Sequence, residues 1–142
     1  MLGGGTFAWS PLSMIVGYRV VEYLKQKGDA LYPAIAEKGQ RIRAGMVEAL
    51  GQNNILARST GMGSLCGLYF PKDASTVARN PGEIQRFTDV ELLDQEFRIR
   101  MMNHGVFVMH GGGAVSAAHT EEDVERILGA TREVAREIAA SR

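Results

Sequence analysis

The strongest constraint on this chain is one short strand-like run. Ser64 to Phe70 is apolar from Leu65 on and is stopped by Pro71-Lys72-Asp73. The predicted order is helix, helix, strand, helix, strand, strand, helix. That order specifies an α+β fold, a small and mostly antiparallel sheet with helices packed on it and a helix pair in front. A chain of 142 residues fits this plan with a real core.

The boundaries follow from caps and breakers. Ser10-Pro11 opens a first helix, Pro11 to Lys27, closed by Gly28. Its start (Leu12, Met14, Ile15, Val16, Gly17) is apolar nearly all round and expects cover on most sides. Asp29 to Leu50 is the second helix, with Pro33 in its first turn or at its beginning. Ile35, Ile42, Met46 and Leu50 form its stripe, and Gly51 its C′ residue. A short strand is expected at Ile55 to Ala57, and Ala74 to Gln85 reads as a loop around Asn80-Pro81-Gly82. The third helix, Arg86 to Asn103, buries Val90, Leu93, Phe97 and Met101 and ends at His104-Gly105. Val106 to Met109 reads as a strand, Gly111 to Gly113 as a turn or bulge, and Ala114 to Ala118 as another strand. Thr120 caps the last helix, whose three opening acids suit the positive end of its dipole. Val124, Ile127, Leu128, Thr131, Val134, Ala135 and Ile138 are its core side. Two parts are expected: residues 1–28, an interface segment with the first helix, and 29–142, the α+β domain.

Composition narrows the function. Lys+Arg and Asp+Glu are both 16, so the net charge is zero, which argues against a nucleic-acid surface and against docking on an anionic membrane. The N-terminus carries neither a signal peptide pattern nor a membrane-spanning run, and a cytoplasmic location is expected. The single cysteine, Cys66, lies in the apolar run and reads as a small buried hydrophobe in a reducing compartment.

Few residues could carry chemistry. His104, His110 and His119 lack metal-ligand spacing, so no metal site is expected. His104 reads as a helix-end residue, and His110 and His119 as structural or catalytic residues beside a glycine-rich segment. Lys25, Lys27, Lys38 and Lys72 fall on polar helix faces, at helix ends or in a turn, and none has the desolvated or cationic surroundings that a Schiff-base lysine needs. Gly3-Gly4-Gly5-Thr6, just ahead of a helix, could let backbone approach an anion, with a turn role as the alternative.

The stretch from Gly4 to Met14 (Gly-Gly-Thr-Phe-Ala-Trp-Ser-Pro-Leu-Ser-Met) resembles a marked segment of the class III aminotransferases, enzymes that use pyridoxal 5′-phosphate (PLP). The order of later motifs agrees: Gly61-Met62-Gly63-Ser64 before a strand, His104-Gly105-Val106-Phe107-Val108, and Ser116-Ala117-Ala118-His119-Thr120-Glu121-Glu122-Asp123, similar to the family's closing S-x-A-H-T-x-x-D. Within that family the likeness is to the glutamate-1-semialdehyde 2,1-aminomutase branch. The resemblance implies the C-terminal domain of a fold type I PLP enzyme that moves amino groups between small amino and keto compounds. It implies that Thr6, with Gly5, binds the PLP phosphate in a neighbouring subunit's site, and that the chain forms a homodimer through its apolar first helix. The Schiff-base lysine would lie on a larger domain ahead of Met1, so no catalytic residue is assigned here. The chain alone is expected neither to catalyse nor to hold PLP stably. The alternative is a non-catalytic, self-associating α+β module from a truncated gene. The aminomutase branch carries a longer, acid-bearing segment before S-x-A-H than His110 to Ala114, which leaves the amino donor open.

Overall fold

The structure, a computed structural model, describes residues 10–109 and 112–142. Helix α1 is Pro11–Gly51, and the chain parts into two compact units at Pro33 and Ala34. The expected break at Gly28 is absent. Gly28 does not take the left-handed φ of a helix-ending glycine, and the ring of Tyr32 lies over it, 3.1 Å from where a Cβ would stand. Pro33, inside the helix, removes the bond to the Asp29 carbonyl, but Asp29 is an exposed residue, where water can replace the lost donor.

In the first unit, Leu12, Met14, Ile15, Val16, Tyr18, Val20, Val21, Tyr23 and Tyr32 are each at least half exposed. At about 100° per residue, Tyr18, Leu12 and Val20 point in three separate directions, so apolar surface wraps most of the helix.

The second unit holds a three-stranded antiparallel sheet in the order β1-β2-β3: Arg58–Thr60, Leu65–Tyr69 and Gly112–Ala114. Arg58 pairs with Tyr69, and Leu65 with Ala114. The run read from Ser64 to Phe70 thus contains the central strand, β2. The strand expected at Ile55 to Ala57 comes later because Ile55 and Ala57 turn into the core, leaving Arg58 to begin the pairing. Val106 to Met109 alternates as a strand should, with Val106 and Val108 buried and Phe107 exposed, yet only Met109 bridges, to Gly112. Gly112 and Gly113, expected in a turn or bulge, instead supply β3, and Ala114 ends it. A Cβ on Gly112 would lie 1.9 Å from the Cys66 carbonyl oxygen, so this close strand approach requires glycine.

The region read as a loop contains α2, Pro81–Phe87. Asn80 caps it, accepting from the Glu83 amide at 3.0 Å, and the Glu83 carboxylate accepts from the Arg79 amide at 2.8 Å. The helix expected to run on from Arg86 is cut at Thr88 and Asp89, where the Asp89 amide donates to the Phe70 carbonyl at 2.8 Å. Asp89 then accepts from the Leu92 amide at 2.9 Å and starts the next helix. That helix passes through a π-helical segment, Leu92–Phe97, into α3, Arg98–Asn103. The wider turn lets Leu92 and Leu93 share the core side with Phe97. Gly105, at φ +76°, ends α3 as expected.

The core gathers Ile42, Met46 and Leu50 of α1, Leu68 and Phe70, then Leu93, Phe97 and Met101, and Val124, Val134 and Ile138 of α4, Glu121–Ala140. The expected stripes of α1 and α4 meet here, with Ile127 and Leu128 partly buried against them. A reciprocal capping box starts α4: the Asp123 amide donates to Thr120 Oγ1 at 3.2 Å, and the Thr120 amide to Asp123 Oδ2 at 2.7 Å. The Thr120 amide, and then the Thr120 hydroxyl at 2.9 Å from Oδ2, hold the Asp123 carboxyl below the usual range. Replacing Thr120 with alanine should remove about 1 kcal/mol of stability, measured by urea unfolding; an unchanged midpoint would show the cap to be idle.

Candidate functional site

Thr6, Gly5 and His110 lie outside the described residues. Of the motifs singled out in the sequence, the structure builds the closing one, Ser116 to Asp123, in full. His119 Nδ1 accepts from the Ser116 amide at 3.1 Å and lies 3.0 Å from the Ser116 hydroxyl. Because an amide can only donate, Nδ1 is the unprotonated nitrogen in this arrangement and Nε2 carries the hydrogen. Lys38 of α1 donates to the His119 carbonyl at 2.7 Å and stands 4.0 Å from Glu121. Arg41, one turn further, pairs with Glu121 and with Glu125, the latter at 2.9 Å. His119 therefore closes a tight loop that α1 clamps at the head of α4.

The same histidine borders a small cleft of about 90 Å³, whose other walls include Ile42, Met46, Cys66, Phe107 and Ile127. Among the described residues the lining is mostly aliphatic, which suits an apolar group and offers no set of acids or bases for proton transfer. Cys66 is half-buried; burial pushes its thiol up, opposed by the nearby Arg43. Its Sγ donates to the Gly39 carbonyl at 3.5 Å, so it behaves as a packed, protonated thiol.

His104 sits at the end of α3, as expected, but its ring reaches across to α4, with Nε2 at 2.8 Å from Glu137. Arg100 joins from 3.4 Å and also holds Glu96 at 2.6 Å. The His104 contact, then burial working against it, then Arg100, leave the Glu137 carboxyl below its ordinary range. The group ties α3 to α4 on a partly exposed surface, where such pairs contribute little.

None of the four lysines fits a covalent anchor for an aldehyde cofactor. Lys25 and Lys27 are exposed, Lys72 is exposed with its ammonium 3.5 Å from the Arg86 carbonyl, and Lys38 is spent on His119 and Glu121. Among the described residues no group of three or more His, Cys, Asp or Glu could hold a metal ion, and no helix is long and apolar enough to cross a membrane.

No family model matches the chain. It is 30% identical, over 144 positions, to the glutamate-1-semialdehyde 2,1-aminomutase of Psychrobacter sp. (strain PRwf-1), covering 96% of this chain and 32% of that protein. It is 30% identical to the protein of the same name from Bacillus subtilis (strain 168), covering 95% of this chain and 30% of that one. An omega-transaminase from Sphaerobacter thermophilus superposes with a TM-score of 0.72 at 22% identity, over 96% of this chain and 30% of that chain. The PLP internal aldimine form of FumI from Sphingopyxis sp. MTA144 superposes with a TM-score of 0.76 at 17% identity, over 99% and 30%. At such identities the superpositions establish the α+β fold alone. The chain spans about a third of the length of the curated relatives it matches. With sequence likeness running through nearly the whole of it, the chain belongs to the class III aminotransferase family and corresponds to the C-terminal part of its members.

Proposed function

We propose that this chain is the C-terminal domain of a PLP-dependent, cytoplasmic amino-transfer enzyme and that it does not catalyse by itself. The observation that carries this reading is the likeness to the aminomutases along nearly the whole chain, over only a third of their length. The placement of the lysines supports its second half, since PLP chemistry starts from a lysine that holds the aldehyde and this chain offers none in a suitable setting. When bound, the cofactor would supply the electron sink for moving an amino group. This chain's part is to bind and enclose: Thr6, with Gly5, at the phosphate in a neighbouring subunit's site, and the α+β domain beside a small amino or keto substrate. Incubating the purified chain with PLP, then reducing with borohydride and mapping peptides, should give no single stoichiometric pyridoxyl-lysine. Glutamate-1-semialdehyde and common amino donors should not turn over. One fully modified lysine together with turnover would overturn the reading.

The exposed apolar turns of α1 favour self-association as a second property, whether as the family-type dimer or as a non-catalytic module. Sedimentation of the chain at rising concentration should show dimers or larger species, and replacing Ile15 and Tyr18 with glutamate should dissociate them. A clean monomer at high concentration would exclude this surface as the contact.

A further inference from the structure

We draw no further inference here: the strongest candidate, the exposed apolar surface of α1 around Leu12, Ile15 and Tyr18, is the surface already assigned to the proposed self-association, and nothing in the structure shows what else covers it.

Discussion

Phe97→Ala should destabilise the Ala34–Arg142 unit by about 3–5 kcal/mol, the range for deleting a buried phenylalanine. Phe97 is 0% exposed and lies at the end of the π-helical segment. Its ring meets that of Phe70 edge to face, with centroids 5.7 Å apart and planes at 63°. That geometry adds about 0.5–1.5 kcal/mol to the burial of the ring. The loss is large because both partners are fixed. Phe70 follows directly on the central strand, and its carbonyl accepts from Asp89, so the sheet cannot shift to fill the void. Against a typical total of about 5–15 kcal/mol, the variant would be marginal or unfolded. Urea unfolding followed by circular dichroism measures the change. Phe87→Ala serves as the comparison, since Phe87 is 50% exposed and should lose far less. Equal losses at the two sites would mean that the Phe70–Phe97 contact does not organise the core.

The parts of the fold legible in the sequence are those where a period repeats often enough to outweigh local noise. The stripe from Val124 to Ile138 runs over four turns behind a Thr120–Asp123 cap, and it is in place. The Ile42, Met46 and Leu50 stripe is legible for the same reason. Single breakers carry less information than a repeated period. Gly28 suggested an end and Pro33 a start, yet an exposed helix tolerates both, since one lost carbonyl bond can be met by water. At Asn80-Pro81 the reverse holds: its turn-like composition reads as a loop, yet a capping asparagine followed by proline at the first helical position is a helix signal.

Short strands carried too little pattern to place. Three residues of β3 show no alternation, and what makes Gly112 a strand glycine is the Cys66 carbonyl across the sheet, invisible in a linear reading. The candidate site divides in the same way. The family motif from Ser116 to Asp123 was legible, whereas the bond from the Ser116 amide to His119 three residues on is seen only in the folded loop. That Lys38 should clamp this loop from 81 residues away follows only from the packing of α1 on α4. His119 is accordingly a loop-closing residue in the structure, one of the two roles its sequence context allowed.

Gly39 provides the second large expected effect, and here propensity and packing point in opposite directions. Within a helix, glycine is worse than alanine by about 1 kcal/mol, so Gly39→Ala ought to stabilise α1 on local grounds. In the folded unit, however, a Cβ at Gly39 would stand 2.2 Å from the Gly63 carbonyl oxygen and 3.1 Å from Arg43 Nη1. The obstacle is backbone and cannot swing aside. Gly61 and Gly63 hold that turn in left-handed φ values of +138° and +56°. Arg43 fastens it by donating to the Gly63 carbonyl at 3.0 Å and the Leu65 carbonyl at 2.7 Å. Accommodating one methyl group therefore means moving the entry to β2 and weakening both Arg43 bonds, at a net cost of about 2–3 kcal/mol. Gly129 in α4 supplies the contrast, because its added Cβ would meet nothing nearer than Arg132 Nη2 at 3.9 Å. Gly129→Ala should raise stability by about 0.5–1 kcal/mol. The same substitution at two helical glycines of one unit should thus shift the urea midpoint in opposite directions. A gain at both would show that α1 and the Gly61–Gly63 turn are less tightly apposed than the structure places them, whereas opposite signs would establish that contact as the reason Gly39 is glycine.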